Sequence, residues 1–150
     1  MKKALWMAGL LAGIVASTAN AQFAKPEDAI RYRQSALNLI GNHTVRIGAV
    51  VKGDKPFNAA EVQQSAALIE TLSKLPWEAF GPGTEQGGNT KAKPDIWKDP
   101  AKFKQAAENM QAEAAKLSAA AKSGNLDQVK AAFGGLGKSC KACHDDFRAK

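Results

Sequence analysis

Residues 126–147 read LDQVKAAFGGLGKSCKACHDDF, and this stretch decides the fold. Its apolar residues recur at alternating steps of three and four, the heptad pattern of a helix in an antiparallel bundle. The seam consists of Leu126, Val129, Phe133, Leu136, Cys140, Cys143 and Phe147. Because both cysteines fall on this seam, we expect their sulfurs to face the bundle interior, near one end.

The same stretch contains Cys140-Lys141-Ala142-Cys143-His144, the Cys-x-x-Cys-His pattern of c-type haem attachment. On a helix, Cys140 and Cys143 lie about one turn apart, close enough to bond both vinyl groups of one porphyrin. His144 follows directly and can place a ring nitrogen on the iron. The sequence therefore predicts one covalently bound haem c, with Cys140 and Cys143 as attachment points and His144 as axial iron ligand.

Three other uses of these residues fit less well. A structural zinc site needs four Cys or His ligands, and the chain has two Cys and two His, with His43 far upstream. A redox dithiol usually begins a helix that follows a strand, whereas this motif lies near the end of a helical pattern. A disulfide between the two cysteines would leave the adjoining His144 without a role.

The N-terminus has the pattern of a secretory signal peptide. Lys2 and Lys3 precede an apolar run, and Ala19-Asn20-Ala21 offers a small-x-small cleavage site. We predict a signal peptide at 1–21, cleavage after Ala21, and a periplasmic protein whose single domain spans residues 22–150. No later segment is long and apolar enough for a membrane span.

The charge balance is mildly basic. The formal net charge is +7, and loss of the two leader lysines lowers it by two. The chain has no basic cluster with an aromatic stacking surface, which argues against a nucleic-acid partner. An acidic redox partner protein remains compatible with this charge.

Three further helices are predicted upstream. The first runs from Pro26 to about Val51, with Ile30, Arg33, Leu37 and Ile40 on its seam. The second has Asn58 as its N-cap and continues to Pro76. The third begins at Asp99-Pro100 and ends at Gly124, and Asn125 caps the fourth. Residues 76–98 form the longest irregular stretch. The fold class is thus all-α: an antiparallel four-helix bundle with haem near one end.

These features together resemble the cytochrome c′ family of class II c-type cytochromes. The resemblance rests on the C-terminal haem motif and on three segments: YRQSAL at 32–37, LPWEAFGPGT at 75–84, and 133–148. It implies a haem protein that binds nitric oxide and carbon monoxide. It also implies a homodimer formed through the first two helices.

The sixth ligand of the iron separates two functions within this class. Electron-transfer members place a Met on the first helix, and by resemblance that position is Leu37 here. Met110, the one Met of residues 22–150, fits the apolar stripe of the third helix. His43 is turned away from the haem-facing seam, since six residues rotate it about 240° from Leu37. We therefore expect a five-coordinate, high-spin iron.

Sequence position assigns some of the residues around the haem, and the resemblance assigns Leu37 and Arg148. Arg33 occupies an inward position where a buried charge needs a partner, and a haem propionate would supply one, with Gln34 as a second candidate. Leu37 would press on the vacant iron face. Two roles stay open: Trp77 and Phe80 cover either the distal haem edge or only the bundle end, and Arg148 either contacts the proximal side or is an exposed arginine.

The function that the sequence favours is nitric oxide sequestration or transfer by a periplasmic haem protein. A one-electron carrier in a respiratory or denitrification chain is the alternative. Enzymatic catalysis is disfavoured, because the sequence places no acid, base or polar cluster on the distal side.

Overall fold

The structure is a computed structural model that describes residues 22–150, so the signal peptide predicted at 1–21 lies outside the described residues. Four long helices dominate it: α1 (Pro26–Lys52), α2 (Ala59–Leu72), α4 (Pro100–Lys122) and α5 (Leu126–Phe147). A single helical turn, α3 (Asp95–Lys98), precedes α4. Within the described part, no helix is long and apolar enough to cross a membrane.

The long helices form a closed ring. Helix α1 packs against α2, α2 against α4, α4 against α5, and α5 against α1. Short connections join α1 to α2 and α4 to α5, which makes these pairs antiparallel neighbours. The predicted antiparallel four-helix bundle is confirmed.

The predicted helix starts are confirmed by side-chain caps. The Asn58 side chain accepts hydrogen bonds from the amides of Ala60 and Glu61, and Asn125 does the same for the start of α5. Asp99 accepts from the Lys102 amide at 3.0 Å. These caps satisfy backbone donors that a helix leaves without an internal partner. Gly53 ends α1 in the left-handed conformation, with φ +86°.

The segment between α2 and α4 differs from the prediction. Helix α2 ends at Leu72 rather than at Pro76, and the Ser73 hydroxyl donates to the Glu70 carbonyl. A 3-10 turn covers Pro76–Ala79, so residues 76–98 are not wholly irregular. The turn begins at Pro76 because proline has a helical φ and lacks the amide that would continue α2.

Two apolar clusters fill the bundle. The main core lies between all four long helices; its buried members include Ile40, Ile47, Val62, Ile69, Met110, Leu117, Val129 and Leu136. The aromatic cluster lies at the end of the bundle where α5 stops. It consists of buried Ile96, Phe103 and Phe147, with Trp77, Phe80 and Trp97 packed on them. The predicted seams of α4 and α5 thus face the interior.

Two glycines allow close packing along α5. A Cβ on Gly135 would overlap a carboxylate oxygen of Glu113, so the Glu113 side chain of α4 lies on the α5 backbone there. A Cβ on Gly48 of α1 would lie 3.2 Å from the ring of Phe133, which places α1 close to α5. Gly134, Gly135 and Gly137 are poor helix formers, which predicts close contact with another backbone. This prediction is wrong, because the neighbour of Gly135 is a side chain and a Cβ on Gly134 or Gly137 would meet nothing within 4 Å.

Candidate haem site

The haem motif lies in the last two turns of α5. Cys140 and Cys143 are partly buried and carry free thiols, whereas His144 is more exposed. Since the cysteines are three positions apart, both sulfurs leave the helix on its inward face. The helix ends at Phe147, one turn after the second cysteine.

The two thiols belong to different apolar clusters. Cys140 packs against the main core, and Cys143 packs against the aromatic cluster. Trp77 packs against both clusters, and its indole N–H donates to the Ser73 carbonyl at 2.6 Å. A group bonded to both sulfurs therefore spans the boundary between the clusters, next to Trp77.

The electrostatics keep these groups neutral. Burial raises the pKa of the Cys140 thiol, and it raises the pKa of Cys143 to about 11, with Cys140 adding to the effect. Reactive dithiols have a depressed pKa, so this pair lacks that character. Burial, followed by the charge of Arg148, lowers the pKa of His144, which favours the neutral imidazole that binds metal ions.

The residues present fit a haem c. Two free thiols and a neutral imidazole lie within five residues at one apolar end of a bundle, which is the donor set that attachment requires. The motif ends a helix rather than starting one after a strand, unlike a redox dithiol. Among residues 22–150, no three Cys, His, Asp or Glu side chains gather to hold a bare metal ion.

The candidates for the opposite iron ligand lie as follows. Leu37 is partly buried and packs against the same core as Cys140. Met110 is 4% exposed within the main core, which confirms its interpretation as a packing residue. His43 is half-buried, with Nδ1 3.3 Å from the Ser65 hydroxyl on α2, so it faces α2.

Arg33 has partners that its sequence position does not reveal. It is 2% exposed, and its Nη1 donates to the Ala79 carbonyl at 2.9 Å and to Thr84 Oγ1 at 2.8 Å. Its Nη2 donates to the Thr84 carbonyl at 2.8 Å and to Thr90 Oγ1 at 2.9 Å. Burial lowers the pKa of Arg33 to about 10, against an opposing effect of Glu85, so it is cationic at neutral pH.

This arrangement limits which atoms of Arg33 could also bind a haem propionate. The four terminal N–H groups of Arg33 bond the loop, and only Nε–H is left for a haem carboxylate. Neutral carbonyls and hydroxyls are thus partners of Arg33, and a haem propionate stays a predicted partner. Gln34 is less engaged, with one hydrogen bond of 3.2 Å from Nε2 to the Gly88 carbonyl.

Arg148 lies just beyond α5, in extended backbone. Its amide donates to the His144 carbonyl at 3.1 Å, and it pairs with Ala92 in an isolated antiparallel bridge. Hydrogen bonds on both sides of the bridge, from Lys93 to Phe147 and from Ala149 to Lys91, fix the chain after the motif. The side chain of Arg148 is exposed, close enough to lower the pKa of His144.

Phe103 and Phe147 complete the site, and their site role was not predicted. The Phe103 ring lies 4.9 Å from that of Phe80 and 5.2 Å from that of Phe147. Trp97 packs on Phe80 at 6.3 Å and donates to the Phe80 carbonyl. The sequence analysis assigns Phe147 to the α5 seam, and its spacing of four residues after Cys143 is the signal that points to a shared site.

Comparison with known proteins gives one consistent result. A family model described as Cytochrome C' matches residues 28–148. Cytochrome c' of Alcaligenes xylosoxydans is 55% identical over 86% of this chain and 99% of its own length. That of Rubrivivax gelatinosus is 53% identical over 86% and 100%.

Solved structures agree with this. The crystal structure of cytochrome c' from Rubrivivax gelatinosus superposes with a TM-score of 0.83 at 52% identity, covering 85% of this chain and all of that one. A nitric oxide complex of an Alcaligenes xylosoxidans variant, with one leucine replaced by alanine, gives a TM-score of 0.79 at 54% identity. It covers 85% of this chain and 98% of that one.

The attachment chemistry is testable at the two thiols. We expect Cys140→Ser and Cys143→Ser each to weaken stable haem attachment, and the double variant to lose it, because each substitution removes a thioether. Haem retained after acid extraction, measured by its absorption, is the assay, with Ser139→Ala as the control. Covalent haem in the double variant would contradict the assignment.

Proposed function

The chain belongs to the cytochrome c′ family and carries one covalently attached haem c, and from this we propose that it binds nitric oxide and carbon monoxide at a five-coordinate iron. In this proposal Cys140 and Cys143 hold the haem and His144 is the axial ligand. When bound, the haem supplies an iron with one open position for a diatomic ligand. Nitric oxide sequestration or transfer is the proposed role.

The observation that carries the proposal is the placement of Leu37. Its side chain has no atom that can bind iron, and it packs against the core that also contacts Cys140. Met110 is enclosed in that core, and His43 faces Ser65. The inner face of α1 thus has an apolar side chain at the position where electron-transfer members of the class have a Met that binds the iron.

Leu37 also favours one class of gas ligand. Its methyl groups provide no hydrogen bond, and bound dioxygen depends on polar stabilisation that such a site lacks. Nitric oxide bonds iron without that help. Structures of nitric oxide complexes of Alcaligenes xylosoxidans cytochrome c prime variants, more than 50% identical to this chain, support the same ligand here. We propose no catalytic turnover at this apolar site.

The proposed location is the periplasm, supported by the signal-peptide pattern of residues 1–21. Covalent haem attachment at a Cys-x-x-Cys-His motif fits export. N-terminal sequencing of the purified holo-protein decides the point, because a chain that keeps Met1 would contradict cleavage after Ala21.

We expect the absorption spectrum to be high-spin when ferrous, and high-spin or of mixed spin when ferric. The physical reason is that Leu37 supplies no sixth ligand. The matched control is Met110→Leu, which should leave the spectrum unchanged. A low-spin ferrous spectrum, together with a ferric sulfur-to-iron charge-transfer band that disappears in Met110→Leu, would reject the gas-binding function and favour the electron carrier.

Substitution of Leu37 should change ligand access. Leu37→Ala removes three carbons, so carbon monoxide association should accelerate by orders of magnitude, while stability falls by about 2 to 5 kcal/mol. Leu37→Met should shift the iron toward low spin by supplying a thioether. Stopped-flow mixing measures the rates, and Leu39→Ala is the control, since Leu39 is 49% exposed on the same helix. Equal rates in wild type and Leu37→Ala would contradict the role.

A homodimer through α1 and α2 is also proposed. Within the described residues, the large apolar side chains that are exposed all lie on α1, on α2 or just after it: Leu39, Val45, Leu68 and Leu75. Such exposure is typical of an interaction surface.

We expect Val45→Lys, at a side chain 73% exposed, to lower the dimer fraction in sedimentation equilibrium. Ala131→Lys on α5 adds the same charge and should not, so equal dimer fractions would place the interface elsewhere.

A further inference from the structure

Arg33 is a buried cation that forms no ion pair with a protein carboxylate, although the charge of Glu85 in the adjoining loop raises its pKa. No carboxylate lies within ion-pair distance of it in the part of the chain that the structure describes. Its charge is met by four hydrogen bonds to neutral oxygens, all between 2.8 and 2.9 Å. Hydrogen bonds with one charged member are about twice as strong as neutral ones. Arg33 therefore binds its partners firmly, although none of them is an acid.

These partners are spread along one loop. They lie at its beginning, Ala79, in its middle, Thr84, and near its end, Thr90. Between them the chain turns repeatedly through positive φ, at Gly83, Gly87, Gly88 and Asn89. The few backbone hydrogen bonds inside the loop are local turns, such as Thr90 to Gly87 at 3.0 Å. The Arg33 guanidinium thus makes four of the hydrogen bonds that hold this loop, to which Gln34 adds one at the Gly88 carbonyl and Trp97 one at the Phe80 carbonyl.

The same guanidinium fixes the position of an aromatic ring. The Arg33 Cζ lies 4.3 Å from the centre of the Phe80 ring and 5.8 Å from that of Trp97. Cations stabilise such contacts with aromatic faces. Phe80 in turn packs against Phe103, within the aromatic cluster that Cys143 contacts. Arg33 therefore links α1 to the rings beside a haem-bearing sulfur.

Arg33 and Leu37 lie four residues apart on α1, on the same face of the helix. We propose that Arg33 is a positioning residue: it clamps residues 79–90 onto α1 beside Leu37, and the clamped loop restricts the entry of diatomic ligands to the haem. This inference rests on the proposed function, because access matters only where a gas binds. It assigns the loop, together with Leu37, to ligand selection.

Two variants separate the clamp from the charge. Arg33→Met removes both, while the double variant Thr84→Val with Thr90→Val keeps the charge and Nε of Arg33. It removes two of the four acceptors of Arg33, together with the hydrogen bonds of these hydroxyls to the Gly81 carbonyl and the Ala92 amide. Arg31→Met is the matched control, since Arg31 is an exposed arginine on the same helix that pairs with Asp28. All four proteins are studied as holo-protein, and an unaltered absorption spectrum shows that the haem site is retained.

The first measurement is amide hydrogen exchange of residues 81–90. We expect at least about tenfold faster exchange in Arg33→Met and in the double valine variant, as loss of charge-assisted hydrogen bonds implies, and no change in Arg31→Met. The second is stopped-flow carbon monoxide binding. Association and dissociation should both accelerate severalfold in the two loop variants, because a change in access affects entry and exit alike.

Each outcome decides the proposal. Unchanged exchange in the double valine variant, or faster exchange without faster carbon monoxide binding, would overturn it. An effect in Arg33→Met alone would mean that Arg33 acts through its charge, which also overturns the clamp. If Arg33→Met fails to fold, the valine variant carries the test. Wild type that binds no carbon monoxide would reject the proposed function, and the exchange data would still decide whether Arg33 holds the loop.

Discussion

The structure depends on one constraint: the last turns of α5 must present two sulfurs, one turn apart, to the bundle interior. Heptad spacing places Cys140 and Cys143 on the seam that also carries Val129 and Leu136. The sulfurs then meet different surroundings, aliphatic for Cys140 and aromatic for Cys143. The apolar interior thus consists of the main core beside Cys140 and the aromatic cluster beside Cys143, and Trp77 packs against both. A helix whose cysteines lay two positions apart would turn one of them to solvent.

Local signals in the sequence were sufficient for the helices. Asn58, Asp99 and Asn125 cap their helices because their side chains reach amides two or three residues away. The end of α2 was placed too late, since the Ser73 cap gives a weaker signal than Pro76. The attachment motif was readable for the same reason as the caps: all of its parts lie within one turn of helix.

The partners of Arg33 could not be predicted, and the reason is their separation in sequence. Thr84 and Thr90 lie 51 and 57 residues from Arg33, in a loop without periodicity. The sequence indicated that a buried arginine needs compensation, but not that carbonyls and hydroxyls would provide it. Glu113 on Gly135 is a similar case, because that contact depends on how α4 and α5 pack. The sequence therefore predicted contacts within one helix, such as the caps, but not contacts between separate elements.

The two sides of the proposed haem site come from different elements of the fold. The proposed bonds to the haem all come from α5, through Cys140, Cys143 and His144. The groups that would control the opposite side come from α1 and from the loop that Arg33 holds. Because the attachment is covalent and confined to one helix, a shift of the loop or of Leu37 leaves the haem in place. Ligand access can therefore vary in this fold without loss of the cofactor, which a haem held only by its pocket would not permit.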